Sequence, residues 1–230
     1  MPAKGGEREL IEDPSLTRLL AELHGRSDAQ LAALSAFTQR RGEGWAPTAE
    51  EVKQFVSDKL VALDRDKAEF CYQLCRATDA RRIVEIGTSY GVSTLYLAAA
   101  LRDNIAERGG RGLVIGTEYE PQKAAAASAH FERAGLSRHI ELRQGDLRET
   151  LLGIDEPVDF LLVDIWIGMA RPALELVAPH LRAGAVVICD NTELHRSDYA
   201  DYFAFLNDPA NGFQTMTLPF EGGLEMSVCR

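Results

Sequence analysis

The 230-residue sequence holds only four cysteines, too few for the disulfide framework on which small secreted scaffolds depend. It is also short of positive charge. Lys and Arg number 25 against 35 Asp and Glu, a net charge of −10, which excludes the basic face that nucleic acid or an anionic membrane surface requires. Long apolar runs are missing as well: the longest, around residues 160–170, is interrupted by Asp164, so no membrane span is expected. The opening M-P-A-K-G-G-E-R-E has no apolar stretch of the kind a secretory signal carries, and the expected location is the cytoplasm. Cys71 and Cys75 lie one helical turn apart, but no second Cys/His pair follows at zinc-like spacing. Buried free thiols are the expectation. What is present, 46% hydrophobic and 26% charged residues, is ordinary for a globular chain that builds a sizeable core and acts on small molecules.

Residues 1–80 read as helical. Asp13-Pro14 starts a helix that Gly25 is expected to end, with Leu16, Leu19, Leu20 and Leu23 on one face. Ser27-x-x-Gln30 reads as a capping box opening a second helix through Leu31, Leu34 and Phe37. Residues 40–47 form a loop containing Trp45, and Thr48-x-x-Glu51 caps a third helix that turns Val52, Phe55, Val56, Leu60 and Leu63 inward. A fourth covers about 67–78. These helices either pack on a sheet edge or form a lid hinged near Trp45. Their apolar faces also suggest a two-fold homodimer.

From Arg82 strands and helices alternate, the signature of a doubly wound, mostly parallel α/β sheet. Strands are expected at 83–86, 113–117, 139–143, 160–163 and 185–189, with helices at 92–101, 121–134, 147–152 and 168–181 between them. A helix at about 197–206 follows. Residues 213–218 and 224–229 then close the chain as an antiparallel hairpin around P-F-E-G-G. The expected division is a helical extension or lid at 1–63 and a ligand-binding domain at 64–230.

Ligands of such sheets bind beyond the carboxyl ends of the strands. After the first strand comes Gly87-Thr88-Ser89-Tyr90-Gly91, a glycine-bounded turn into a helix that aims backbone N–H groups at one spot. Glu85 places a carboxylate there, which disfavours a phosphate and favours ribose hydroxyls or an ammonium group. Glu118, Asp146, Asp164 and Asp190-Asn191 follow the next four strands. A single acid after a strand is usually a helix cap or turn former. Five on one rim suggest a hydroxyl-rich or cationic ligand, with or without a metal. Glu118 suits two ribose hydroxyls. Asp146 suits an adenine amino group, the N-cap of the helix at 147, or both.

E-I-G-T-S-Y-G, G-T-E-Y-E-P, Q-G-D-L, L-L-V-D-I-W and V-I-C-D-N, in that order and spacing, resemble a class I S-adenosylmethionine-dependent methyltransferase. The subgroup they look most like is the catechol and caffeoyl-coenzyme A O-methyltransferases and their bacterial relatives. The resemblance covers roughly 68–230, and residues 1–63 carry no matching motif. It implies that Gly87, Ser89 and Gly91, with Ser93, cradle the methionine part of S-adenosylmethionine. It further implies that Glu118 holds the ribose and Asp146 the adenine. Tyr119 would pack on the adenine face, or else be a core aromatic. The resemblance also implies a divalent cation, Mg²⁺ or Ca²⁺, on Asp164, Asp190 and Asn191, where it would favour the acceptor oxyanion. Without a metal, Asp190-Asn191 would make a turn and Asp164 would order the cofactor.

The sequence departs from the subgroup at one position. The lysine expected three residues after the first metal aspartate is Ile167 here, although Trp166 matches. This puts catechol itself in doubt as acceptor and leaves His195 as the candidate base. No basic cluster awaits a coenzyme A tail. The expected activity is O-methylation of a small phenolic molecule. A binding module without turnover is the alternative. A nicotinamide oxidoreductase ranks below both, because the loop reads G-x-x-x-G rather than G-x-G-x-x-G.

Overall fold

The computed structural model describes residues 10–38, 49–194 and 196–230. Seven strands form one sheet: β1 Arg82–Ile86, β2 Leu113–Glu118, β3 Ile140–Gln144, β4 Val158–Val163, β5 Leu181–Asp190, β6 Phe213–Leu218 and β7 Leu224–Cys229. Their order is β3-β2-β1-β4-β5-β7-β6. The first five run parallel, and β7 joins antiparallel to both β5 and β6. The chain therefore winds outward from β1 to β3, returns to β4 and winds the other way. The switch point, between β1 and β4, is where an open sheet parts its loops to admit a ligand.

The helices are α1 Pro14–Thr38, α2 Ala49–Val56, α3 Arg65–Ala77, α4 Val92–Arg108, α5 Pro121–Arg133, α6 Leu147–Thr150, α7 Ile167–Val177 and α8 Ala200–Asn207. Side-chain alternation along the strands divides the core into two layers. Ile83, Val114, Phe160, Leu162, Val186 and Ile188 pack under α1, α3, α4 and α5. Val84, Ile86, Ile115, Leu161, Val163 and Val187 pack under α6, α7 and α8. Cys71, Cys75 and Cys189 are buried free thiols, and Cys229 is a half-buried one. Among the described residues no helix is long and apolar enough to cross a membrane.

The N-terminal helices differ from the sequence reading in two places. Gly25 does not end a helix; α1 continues through it to Thr38. Gly25 keeps an ordinary backbone conformation, while Leu16, Leu19, Leu20 and Leu23 are buried against α4 on one side. That apolar face is buried within the chain. Ser27 and Gln30 do not cap a second helix either. The Ser27 hydroxyl accepts from the Ala62 N–H (2.9 Å), and the Gln30 side-chain carbonyl accepts from the Leu60 N–H. The third expected helix stops at Val56. Leu60 and Leu63 are buried as foreseen, but on an irregular strap (57–63) that leads into α3. The Trp45 hinge and the Thr48 cap lie outside the described residues.

Candidate active site

The strand β1 ends beneath a tight turn. Gly87 and Gly91 adopt φ of +94° and +80°, values open to glycine at little cost. A Cβ on Gly87 would fall well inside 3.0 Å of the Asp164 carbonyl oxygen, and one on Gly91 would run into the Phe131 ring. Both glycines are thus fixed by close packing as well as by turn geometry. Ser89, at φ +50°, carries its backbone N–H to the Glu118 carboxylate (2.7 Å), whose other oxygen accepts from the Glu120 N–H (2.7 Å). Glu118 therefore ties the ends of β1 and β2 together.

Glu85 lies fully enclosed below the turn. One of its oxygens accepts from the Thr88 hydroxyl (2.9 Å) and from the Thr94 hydroxyl; the other makes no hydrogen bond. Burial raises its pKa, against the pull of the hydroxyls of Ser93, Thr94 and Thr88. A buried carboxylate with an unused oxygen is a natural counterpart for an ammonium group. Ser93 is buried beside it.

The strap crosses over this turn. Leu60, Val61, Ala62 and Leu63 face Gly87, Thr88, Ser89, Tyr90, Val92, Ser93 and Asp164 across a narrow recess of about 10 Å³. Besides its bonds to α1, the strap is held by the Tyr90 hydroxyl on the Asp58 carbonyl (2.8 Å), and Lys123 grips the Val56 carbonyl just ahead of it (3.2 Å). The recess has about the space of a single water, far below the usual 300–1,000 Å³ of a ligand pocket, so the strap closes directly on the turn. Glu118 and Tyr119 stand outside it, Glu118 buried and Tyr119 exposed. Tyr119 is 69% exposed, which removes the core-aromatic alternative. Asp146 accepts from the Arg148 N–H (2.9 Å) as the N-cap of α6, and its carboxylate is also forked by the Arg148 guanidinium, which holds its pKa at about 2.

The far side of the recess is acidic. Burial raises the pKa of Asp164, and the Asp190 and Glu85 carboxylates raise it further. Asp190 ends β5 nearly buried, and its Oδ1 lies 2.8 Å from the ammonium of Lys67. Its Oδ2 accepts from the Asn191 side-chain N–H (2.8 Å), and the Asn191 Oδ1 lies against Gly222 of the β6–β7 turn. Lys67 is 1% exposed and also pairs with Asp64 at 2.8 Å. Burial works against its charge, but Asp190 and Asp64 outweigh it and the pKa is raised. The three expected metal donors thus stand on neighbouring strand ends, yet one oxygen of Asp190 already holds a cation and the other an amide. As arranged, the donor set does not fit a divalent ion. Lys67 carried no signal in the sequence. A lysine in the first turn of a helix reads as solvated, and its partner lies far along the chain.

Trp166 is 44% exposed at the start of α7, while Ile167, at the expected lysine position, packs partly into the apolar layer beneath that helix. His195, the candidate base, lies outside the described residues. Among the described residues no group of three or more His, Cys, Asp or Glu side chains is placed to hold a metal ion.

Comparison with known proteins bears on the same residues. Residues 84–192, from β1 to just past Asp190, match the family model described as a methyltransferase domain. The catechol O-methyltransferase of Mycobacterium tuberculosis is 31% identical over 150 residues, spanning 63% of this chain and 65% of that protein. The catechol O-methyltransferase of Niastella koreensis is 29% identical over 149 residues, 58% of this chain and 64% of that protein. The chain thus matches just under two thirds of the length of these relatives. An O-methyltransferase from Bacillus cereus, solved in complex with SAH, shares the fold with a TM-score of 0.68 at 21% identity, over 95% of this chain and 92% of that one. Residues 84–192 are thus similar to a methyltransferase domain, part of the chain is similar in sequence to bacterial catechol O-methyltransferases, and its fold is shared with a solved O-methyltransferase.

Proposed function

We propose that this chain transfers a methyl group from S-adenosylmethionine to a hydroxyl of a small phenolic acceptor. The observation that carries the reading is the switch-point recess itself. A glycine turn packed on the Asp164 backbone is tied to Glu118 on one side and roofed by the strap on the other. The residues present fit the cofactor, since Glu85 offers an enclosed carboxylate with one free oxygen and Glu118, bonded to the turn, offers a carboxylate for ribose hydroxyls. When bound, S-adenosylmethionine supplies a methyl group already activated on a sulfonium.

The protein's own work is alignment and exclusion of water. Gly87 and Gly91 let the backbone approach the methionine portion, with Ser89 and Ser93 alongside. Glu118 receives the ribose hydroxyls, Tyr119 covers the adenine, and Asp146 turns toward the adenine amino group by loosening its Arg148 fork. The strap acts as the lid over the methionine end, and the acids Glu85, Asp164 and Asp190 favour a positively charged donor. Trp166 borders the acceptor side. With Ile167 in place of a lysine, the acceptor proton leaves by another route, and His195 is the candidate to take it.

Release of S-adenosylhomocysteine, measured with a panel of mono- and dihydroxylated aromatic acceptors, tests the reading. Methylated product from at least one of them is expected. Tight cofactor binding without product from any acceptor would instead favour a binding module.

A further inference from the structure

Among the described residues at the rim, Lys67 is a side chain that neither the fold nor cofactor binding explains. Lysine is among the residues least often fully buried, yet here the ammonium is 1% exposed and set between two carboxylates at 2.8 Å each. One of them, Asp190, is where the resemblance places a divalent cation. We propose that the Lys67 ammonium is the resident cation of the acceptor end of this site, and that the chain takes no divalent metal there.

The geometry supports the exchange from several directions. Asp164, Asp190 and Glu85 are buried close together, which raises the Asp164 pKa, and the Lys67 ammonium sits directly on Asp190 at 2.8 Å. A metal ion is one cation such acids can take. Here α3 supplies another from the strap side of the sheet, with Asp64 fixing the ammonium from its outer face. Asn191 is turned to match: its amide N–H satisfies the remaining Asp190 oxygen, and its carbonyl lies against Gly222 rather than on a shared centre with Asp164. A divalent ion would have to displace a buried ammonium from its buried partner and leave it with the exposed Asp64 alone, which is unfavourable. Being enclosed, Lys67 acts through Asp190 as a positioning residue. It also places a lysine on the rim from the opposite end of the chain to Ile167.

The inference uses the methyltransferase reading only for the place of the acceptor, and its test needs no turnover. Mn²⁺ is titrated into the full chain, and free Mn²⁺ is followed by its electron paramagnetic resonance signal. For the unmodified chain the signal should match buffer alone up to about millimolar metal, with no change in melting temperature on adding EDTA. Lys67→Met should open the site and bind Mn²⁺ at least tenfold more tightly, and adding Asp190→Asn to it should abolish the gain. A merely structural lysine would produce no such gain. Stoichiometric Mn²⁺ binding by the unmodified chain that Asp190→Asn removes would overturn the proposal, as would a folded Lys67→Met variant that gains no binding. Should Lys67→Met fail to fold, the titration of the unmodified chain decides alone. Binding of S-adenosylmethionine, measured separately, reports on the methyltransferase reading and not on this one.

Discussion

Replacing Gly87 by alanine tests the packing of the site most sharply, and Gly25→Ala is its control. At Gly87 the added methyl meets two costs. The backbone sits at φ +94°, where an L side chain costs about 1–2 kcal/mol. The Cβ also falls well inside 3.0 Å of the Asp164 carbonyl oxygen, with the carbonyl carbon at 2.9 Å. Backbone atoms cannot swing aside as a side chain does, and forced overpacking of this kind costs about 1–3 kcal/mol. The sum, about 2–5 kcal/mol, lowers the melting temperature by about 5–15 °C for a chain of this size. The turn also lifts off Asp164, so cofactor affinity falls with it. At Gly25 a Cβ meets nothing within 4 Å, and φ is not positive. Alanine in a helix interior gains about 0.5–1 kcal/mol over glycine, so Gly25→Ala should raise the melting temperature by a few degrees. Thermal melts by circular dichroism, with calorimetric titration of S-adenosylmethionine, read both. A Gly87→Ala protein that melts and binds like the parent would refute the packing argument, and a destabilised Gly25→Ala would show that α1 breaks there.

Two further outcomes follow from single groups. Glu118→Gln keeps the shape but loses the charge that holds the Ser89 and Glu120 N–H groups. Charged hydrogen bonds are worth about 1.5–3 kcal/mol, so the dissociation constant for S-adenosylmethionine should rise about 10–100-fold; an unchanged constant in calorimetry would remove Glu118 from the cofactor. His24 is buried against the Tyr96 hydroxyl (3.1 Å), and burial, then Arg65, lowers its pKa below the ordinary 6.5. The unfolded chain therefore takes up the proton first, and the stability present above about pH 6.5 is lost as pH falls through that value toward the folded pKa. His139 shifts the same way. In urea melts from pH 7.5 to 5.5, His24→Phe should lose stability less steeply than the parent, and parallel profiles would show that His24 does not titrate with unfolding.

The sheet was legible because its strands are short β-branched or apolar runs closed by glycines and acids, a pattern set by burial on both faces. Both strands of the closing hairpin fall at their expected limits, 213–218 and 224–229. The rim acids were legible for the same reason, since strand ends are fixed once strands are. What could not be read were side chains whose partners come from elsewhere in the chain. Ser27 and Gln30 spell a helix cap, yet a capping box uses only local N–H groups, and these two were claimed by Leu60 and Ala62 of the strap. Gly25 reads as a stop because glycine permits one, but the apolar face of α1 carried the helix on. Lys67 was silent because nothing local announces a buried ammonium. Asp146 showed its cap role in the sequence, but not the Arg148 fork that competes for it.

The central claim is that the turn at 87–91, with Glu85 and Glu118, holds S-adenosylmethionine. Calorimetric titration of the full chain with S-adenosylmethionine, paired with thermal unfolding in its presence, addresses it most directly. Saturable one-to-one binding is predicted, with a stabilisation of about 2.7 kcal/mol when ligand reaches a hundredfold over the dissociation constant. No heat of binding and no shift in the unfolding curve at millimolar ligand would contradict the account.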